Sequence, residues 1–297
     1  MATTTGAEAR PIAVPRTKIR GGPERPRVPF QQVGLYVALV AVSALFSLPF
    51  LWLVLTSLKA PNNVFSAGWI PHPWHPQNYA DVFHYAPVLT WLRNSLLVCV
   101  LGVVSVVFSS SLVAYGFARL RFRGRKQLFA LVLSTMMLPS AVTMVPTFLI
   151  WNKLHAVNTL YPLWAGNLFG SAFYIFMLRQ FLFTIPQDIV DAARVDGASY
   201  LRIYWNIMLP LIKPALITVA IFEFQAKWND FMTPLIYLNK TSLYTMSLGL
   251  STFKTQYETQ WALWMAASVI FTIPMVVLFF AFQRFFIEGI ATTGLKG

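Results

Sequence analysis

The sequence predicts an all-α integral membrane protein with six transmembrane helices and both termini on the cytoplasmic side. Three observations support this prediction: a low content of charge, six long apolar segments and an uneven distribution of Lys and Arg. Of the 297 residues, 57% are hydrophobic and 11% are charged, whereas an ordinary soluble domain has about 25% charged residues. A chain with so few charges cannot cover a water-facing surface, so membrane lipid is its expected surrounding.

Six apolar segments are each long enough to cross a bilayer, because about 20 apolar residues span the hydrocarbon core as a helix. Pro139 and Pro146 interrupt the third segment and Pro234 lies in the fifth, so these helices are expected to bend. The predicted transmembrane domain covers residues 31–297 and follows a flexible basic tail, residues 1–30. The segments lie at about 34–57, 94–117, 128–150, 161–182, 214–236 and 262–283.

The positions of Lys and Arg predict the orientation, since cytoplasmic loops of membrane proteins are enriched in both residues. With the N-terminus inside, most of the 23 Lys and Arg residues lie on the inner side, and Lys227 lies within a span. The net charge of +13 is therefore explained by cytoplasmic loops, and no nucleic-acid partner is expected. The outer side has Lys59, Arg93, Lys153, Lys240 and Lys254.

The sequence has no pattern typical of a catalytic, metal or nucleotide site. His72 and His75 share an outer loop without a neighbouring cluster of Cys, Asp or Glu, so no metal site is expected. Cys99 is the only cysteine, which excludes an intrachain disulfide. No GxxxxGK[ST] phosphate-binding loop occurs. If ATP drives this protein, another chain must bind it.

The polar connection between the fourth and fifth segments, residues 184–210, predicts a helix–turn–helix on the cytoplasmic face. Pro186 suits the first turn of a helix, where its missing N–H would be unpaired in any case. Gly197 predicts the end of that helix, since glycine accepts the left-handed conformation common at helix C-termini. Ser199 can cap a second helix, and Pro210 is expected to end it.

The spacing within this connection resembles the "EAA" loop of ABC importer permeases: Asp191-Ala192-Ala193, three residues, Gly197, nine residues, then Ile207-Met208-Leu209-Pro210. Asp191 stands where the family motif has its first Glu, so the carboxylate is kept. In that family the loop docks in a cleft of the ATPase subunit and transmits the motion of the ATPase dimer to the membrane. The resemblance implies the ABC importer permease fold, a non-catalytic chain without a bound cofactor, and a partner ATPase dimer that binds ATP and Mg²⁺.

The residues expected to contact the ATPase surround the turn of this coupling loop. The small Ala side chains allow close approach to a partner, and Gly197 sets a fixed angle between the two helices. Arg194 and Arg202 either form ion pairs with the ATPase or simply follow the enrichment of basic residues on the inner side. The predicted contact residues are Asp191, Ala192, Ala193, Arg194, Asp196, Gly197, Ala198, Ser199 and Tyr200.

Five shorter elements resemble the carbohydrate-uptake branch of the family, in particular the second permease subunit of maltose-type transporters. This resemblance implies sugar import through a multi-pass subunit of the bacterial plasma (inner) membrane. It also implies two further partners, a second homologous permease subunit and an extracytoplasmic sugar-binding protein. The elements are Asn78-Tyr79, Arg93-Asn94-Ser95, Met177-Leu178-Arg179-Gln180-Phe181, Trp228-Asn229-Asp230-Phe231 and the terminal Gly289 with Gly294-Leu295-Lys296-Gly297.

The fifth segment contains charged and polar residues that are candidates for the translocation pathway. Glu223, Lys227 and Asp230 have the spacing i, i+4 and i+7, which places them on one face of a continuous helix. In one interpretation this face is a polar wall of the translocation pathway, where Glu223, Asn229 or Asp230 binds sugar hydroxyls and either Trp228 or Phe231 stacks on a sugar ring. In the other, a self-neutralising network of Glu223, Lys227 and Asp230 holds the helices together, and we favour this interpretation for Glu223 and Lys227.

Three alternative functions are weighed against sugar import. An ABC permease for a different solute, such as a polyamine or phosphate, would have the same coupling loop. An ion- or proton-driven secondary transporter that uses Glu223 and Asp230 would be expected to contain inverted repeats, and the sequence has no convincing repeat. A membrane enzyme ranks third, because no cluster of His, Cys or carboxylates supports it.

Overall fold

A computed structural model describes residues 30–65, 68–254 and 260–294 of the chain. Residues 1–29 of the predicted basic tail and the terminal Leu295-Lys296-Gly297 lie outside the described residues, and Phe30 is the first residue of a helix. The chain divides into two units, one up to Pro49 and one from Phe50 onward. The described part of the first unit is helical and apolar, and the contacts below belong to the second unit.

The described part of the chain is helical. The β-type pairing within it is an isolated antiparallel bridge between Lys59 and Trp74. A π-helical turn, Tyr204–Met208, joins two of the helices. The helices are α1 (Phe30–Ser57), α2 (Asn78–Tyr85), α3 (Val88–Arg119), α4 (Arg125–Thr135), α5 (Ser140–Lys153), α6 (Tyr161–Trp164), α7 (Ala172–Phe183), α8 (Asp188–Val195), α9 (Tyr200–Ile203), α10 (Leu209–Leu211), α11 (Lys213–Asn229), α12 (Met232–Tyr237), α13 (Met246–Leu250) and α14 (Trp261–Gly294).

Three helices are long and apolar enough to cross a membrane: Gln32–Ser57, Val88–Arg119 and Trp261–Gln283. Three bent pairs of helices pass the same test together, so the described residues contain between three and six candidate spans. The bends are 98° between α4 and α5, 79° between α7 and α8, and 77° between α10 and α11. The first bend comes at Pro139, because proline lacks the amide that would continue the helix and restricts the residue before it.

The long helix α3 lies at the centre of the second unit and packs against both α7 and α11. Leu178 and Leu182 of α7 and Ile203 of α9 are fully buried in the core that surrounds it. Val190 of α8 belongs to the same core. The apolar faces of the short helices near the coupling loop are therefore continuous with the packing of the long membrane helices.

Asn78-Tyr79 attaches the start of α2 to the end of α1. The Asn78 amide nitrogen donates to the carbonyl oxygens of Ser57 and Lys59, each at 2.8 Å. The Tyr79 hydroxyl is hydrogen-bonded to the Ser57 hydroxyl at 2.7 Å. Because Asn78 is fully buried, these bonds satisfy its amide N–H groups, which would otherwise destabilise the fold, whereas its Oδ1 has no hydrogen-bond partner among the described residues. This element has a structural role in the present conformation.

The Arg93-Asn94-Ser95 element attaches the segment between α12 and α13 to the first turns of α3. The Asn94 amide nitrogen donates to the carbonyl oxygens of Ser242 and Tyr244, each at 3.0 Å. The Ser95 hydroxyl accepts from the Met246 amide at 2.7 Å. These bonds connect residues about 150 positions apart in the chain, so the element fixes the loop that follows α12.

Gly249 of α13 lies directly against the ring of Trp91, and a methyl group built there would overlap three ring atoms. Trp91 is buried and its indole N–H donates to the Thr241 carbonyl at 2.8 Å, so it cannot move aside freely. We expect Gly249→Ala to destabilise the protein by about 1–3 kcal/mol through overpacking. Thermal unfolding in nanodiscs checks this, with Gly116→Ala as the control because Gly116 has no atom within 4 Å of an added methyl group.

An unchanged unfolding temperature for Gly249→Ala would contradict the close packing of α13 on α3. The control Gly116→Ala lies within α3, where replacing glycine by alanine favours the helix. We therefore expect it to unfold at the wild-type temperature or slightly above.

Candidate functional site: the coupling loop and the fifth span

The coupling loop folds as a helix–turn–helix formed by α8 and α9. Gly197 between them has a φ of +81°. Its amide donates to the Arg194 carbonyl, and the Ala198 amide donates to the Ala193 carbonyl, both at 3.0 Å. These two bonds form a Schellman motif with glycine at its left-handed position. The predicted glycine turn is therefore confirmed.

Glycine is needed at position 197 because of its backbone angle, not because a side chain there would lack space. No atom outside the adjoining backbone lies within 4 Å of a methyl group built on it. An L-residue in the left-handed region is destabilised by about 1–2 kcal/mol, so a side chain at Gly197 would strain the turn while projecting into open space.

The second helix begins as predicted but does not end as predicted. The Ser199 hydroxyl accepts from the Arg202 amide at 3.3 Å, which confirms the cap. Two details are wrong: α8 begins at Asp188, two residues beyond Pro186, and the helical path continues past Pro210 to the end of α10. Pro210 comes just after the π-helical turn Tyr204–Met208, where the regular i to i−4 pattern of an α-helix is already interrupted.

The tip of the coupling loop exposes apolar side chains. Val195 is 88% exposed and Leu201 is 63% exposed. Tyr200 is exposed as well, whereas Ala193 is buried against the protein's own core. Ala193 therefore does not present its methyl group to a partner, contrary to the prediction. Val195 lies within the predicted docking stretch, residues 191–200, but was not singled out, and Leu201 lies just outside it. Apolar residues next to a glycine turn on a polar loop were a visible signal for both.

Two side chains of the loop are held by neighbours within the loop itself. The Arg194 guanidinium donates to the Ala198 carbonyl at 3.0 Å and lies 4.4 Å from the centre of the Tyr200 ring. The Asp191 carboxylate accepts from the Gln187 side chain at 3.1 Å. These contacts brace the turn from both sides and leave the apolar tip in a fixed position.

A buried ion pair joins α11 to the irregular segment between α6 and α7. Glu223 is 6% exposed, and its Oε1 lies 3.8 Å from Nζ of Lys227. The Asn167 amide nitrogen donates to the same Oε1 at 2.5 Å and to the Gly102 carbonyl at 3.1 Å. Nζ of Lys227 donates to the Leu163 carbonyl at 2.8 Å. The structure thus supports the ion-pair interpretation that we favoured.

Sequence analysis did not identify Asn167 as the partner of this pair. The sequence does contain a signal for this residue: Asn167 is a polar amide within an apolar segment, and a polar group at membrane depth is expected to need a partner. Its main-chain carbonyl also accepts from the Ser109 hydroxyl at 2.8 Å, so the irregular segment is tied to both α3 and α11.

Trp228 is a core residue in this conformation. It is 1% exposed and stacks between Phe224 and Phe271, with ring centres 5.7 and 5.3 Å away. Its indole N–H donates to the Phe271 carbonyl at 3.1 Å. The prediction that Trp228 stacks on a sugar ring is therefore wrong for this conformation, because helix packing already covers both faces of the indole.

Asp230 does not share a helix face with Glu223, because α11 ends at Asn229 and Asp230 has an extended backbone. Its carboxylate instead accepts from the Thr233 amide at 3.0 Å, at the start of α12. The prediction that Asp230 shares a helix face with Glu223 and Lys227 is therefore wrong, since it assumed that the helix continues through Asp230. Asn229 has an exposed side chain, and its amide nitrogen donates to the Gln225 carbonyl at 2.9 Å.

The chain is similar to transport proteins in both sequence and fold. The family model described as "Binding-protein-dependent transport system inner membrane component" matches residues 105–291. The arabinooligosaccharides transport system permease protein AraQ of Halalkalibacterium halodurans is 34% identical over 265 residues, which cover 88% of this chain and 94% of that protein. The osmoprotective compounds uptake permease protein GgtD of Synechocystis is 31% identical over 277 residues, or 90% and 93% of the two chains.

The fold is shared with a solved structure of a bacterial ABC transporter involved in the import of the acidic polysaccharide alginate. The superposition has a TM-score of 0.76 with 23% sequence identity. It covers 89% of this chain and 100% of the other.

Proposed function

This chain belongs to the family of binding-protein-dependent transport system inner membrane components, and we propose that it is a permease subunit of an ATP-driven sugar importer. It forms half of the translocation pathway, and the ATP is hydrolysed by a partner chain. The coupling loop docks on that ATPase. The arabinooligosaccharide permease at 34% identity supports a carbohydrate as the solute.

The observation that carries the ATPase assignment is the exposed apolar tip of the coupling loop. Val195 and Leu201 project outward from a braced turn whose angle is set by Gly197. A rigid tip of this kind fits a groove on a moving partner, because little conformational entropy is lost when it docks. Asp191 and Arg202 are exposed beside it and supply charges at the rim.

We propose six spans, the third of which is bent at Pro139, with both termini in the cytoplasm. The contacts at each end of α3 support this topology. At one end Arg119 reaches Gln187 beside the coupling loop, and at the other end Asn94 reaches Tyr244. The loops that would be cytoplasmic therefore lie together, and so do the loops that would face outward.

The partners that follow from this proposal are a second homologous permease subunit, an ATPase dimer with bound ATP and Mg²⁺, and an extracytoplasmic sugar-binding protein. The complex lies in the bacterial plasma (inner) membrane. Of the predicted pathway residues, Asn229 has the exposed side chain that a passing solute needs. Asp230 and Lys227 are half-buried and become accessible if the helices around α11 separate during alternating access.

Reconstitution of the four kinds of subunit in proteoliposomes tests the proposal. We expect uptake of a radiolabelled oligosaccharide to require the binding protein and ATP, and to stop with an ATPase variant that binds ATP but does not hydrolyse it. Uptake that persists without ATP and collapses with the proton gradient would show a secondary transporter instead.

A second solute class is worth including in that screen, because one relative is named for uptake of osmoprotective compounds. Binding of oligosaccharides and of osmoprotective solutes to the cognate binding protein separates the two. The coupling loop is compatible with either solute, so the solute class must be identified from what the binding protein binds.

A further inference from the structure

Three buried polar residues of α3 form a stripe that faces the coupling loop. Ser111, Tyr115 and Arg119 are spaced four residues apart and therefore lie on one side of the helix. Their exposed fractions are 1%, 2% and 8%. The stripe extends about 12 Å along the helix axis, given a rise of about 1.5 Å per residue. We call these residues the α3 anchor.

Arg119 holds the segment that enters the coupling loop. Its guanidinium donates to the carbonyl oxygens of Leu182 and of Ile185, the latter at 2.6 Å, and to the Gln187 side chain at 2.7 Å. The Leu182 carbonyl lies in the last turn of α7 and also accepts from the Ile185 amide at 3.3 Å, and the Ile185 carbonyl follows the end of that helix. Gln187 in turn donates to Asp191, so a hydrogen-bonded chain runs from α3 to the first residue of the coupling motif.

Tyr115 and Ser111 hold the segment that leaves the coupling loop. The Tyr115 hydroxyl donates to the Tyr200 carbonyl at 3.0 Å. The Ser111 hydroxyl is hydrogen-bonded to the Tyr204 hydroxyl at 2.8 Å, and the rings of Tyr115 and Tyr204 are 5.3 Å apart. Both segments that flank the turn are thus attached to the same face of one helix.

The arrangement transmits force better than apolar packing alone. Apolar contacts are non-directional and permit sliding, whereas a guanidinium with three acceptors fixes both distance and angle. The three acceptors stabilise the buried guanidinium through its two terminal nitrogens, because a buried charge without hydrogen bonds is strongly destabilising. If α8 moves, Arg119 must therefore move with it or lose its partners.

We propose that Ser111, Tyr115 and Arg119 are positioning residues that convert movement of the coupling loop into movement of α3. The far part of α3 contacts Asn167, through the Gly102 carbonyl and the Ser109 hydroxyl. Movement of α3 therefore reaches the buried ion pair of α11. This inference rests on the proposed docking of the loop on an ATPase.

The test measures solute transported per ATP hydrolysed in the reconstituted importer. We expect Arg119→Lys and Tyr115→Phe to lower this ratio about threefold to tenfold, while the complex still assembles and hydrolyses ATP. Lysine keeps the charge but lacks the planar fork of donors, and phenylalanine removes one hydroxyl. The matched controls are Arg121→Lys, at an exposed arginine of the adjoining loop, and Tyr161→Phe, at an exposed tyrosine. Both controls should keep the wild-type ratio.

A double-mutant cycle separates anchoring from general destabilisation. Ser111→Ala and Tyr204→Phe each remove one partner of the same hydrogen bond, so the double variant should lower the ratio no further than either single variant. Additive losses would show that the two hydroxyls act separately and would overturn the anchor for that pair.

The outcomes distinguish this inference from the proposed function. Wild-type ratios in every anchor variant, with a coupled wild-type importer, would overturn the α3 anchor and leave the proposed function intact. A wild-type complex without ATP-dependent uptake would overturn the proposed function itself. If the Arg119→Lys complex fails to assemble, the transport ratios of the single-hydroxyl variants Tyr115→Phe and Ser111→Ala test the α3 anchor instead.

Discussion

Gly197→Trp is expected to abolish most ATP-dependent uptake while the chain still inserts and assembles in the membrane. The turn must adopt a φ near +81°, which destabilises any L-residue by about 1–2 kcal/mol. The indole would also project from the tip that docks on the ATPase, because the space around Gly197 is open. Together these effects lower productive docking by about tenfold or more, since about 1.4 kcal/mol corresponds to a factor of ten. Uptake and solute-stimulated ATP hydrolysis in proteoliposomes measure the result.

Gly124→Trp is the matched control for this variant. Gly124 also has a left-handed φ, +82°, and open space around it, but it precedes α4 outside the coupling loop. We expect it to keep solute-stimulated ATP hydrolysis near the wild-type rate. An equal loss in both variants would show that strain at any left-handed glycine is responsible, and would contradict the docking assignment.

Gly197→Asn separates the two causes within the loop. Asparagine accepts the left-handed conformation more readily than other non-glycine residues, so the strain is smaller and the side chain is short. We expect uptake between those of wild type and Gly197→Trp. Unchanged stimulation of ATP hydrolysis in Gly197→Trp would mean that this turn does not touch the ATPase.

Breaking the buried ion pair is expected to have the largest effect on stability. Lys227→Met leaves the Glu223 carboxylate buried without its counter-charge, and Glu223→Gln leaves the ammonium group unpaired. Removing one partner of a buried pair destabilises a protein by about 3–5 kcal/mol. Both single variants should therefore unfold at clearly lower temperature, measured on the assembled complex in nanodiscs.

The double variant Glu223→Gln with Lys227→Met should recover most of that loss. Replacing a buried pair by neutral groups of similar volume is often tolerated, because the desolvation of two charges is removed together with their attraction. The control is Lys153→Met at an exposed lysine, which is expected to be near neutral. Single variants as stable as this control would show that water screens the pair, as in a polar wall of the translocation pathway.

The sequence by itself determined the features that depend on neighbouring residues. Apolar runs marked the long helices, and α3 and α14 lie where the second and sixth segments were predicted, with longer ends. The left-handed turn at Gly197 and the cap at Ser199 were predictable because both arise from hydrogen bonds between residues three to five positions apart. Local geometry of this kind needs no knowledge of the rest of the fold.

The tertiary structure alone decided which distant groups meet. Trp228 is enclosed by a ring of α14, and Asp230 leaves the helix face because α11 ends one residue before it. Arg119 is hydrogen-bonded to Gln187, which lies 68 residues further along the chain, and Asn94 is hydrogen-bonded to Tyr244, 150 residues further along. Such pairs depend on how the helices pack, and packing is set by the fit of whole surfaces rather than by any short stretch of sequence. The coupling loop was therefore visible in the sequence, whereas its attachment to α3 became visible only when the helices were placed together.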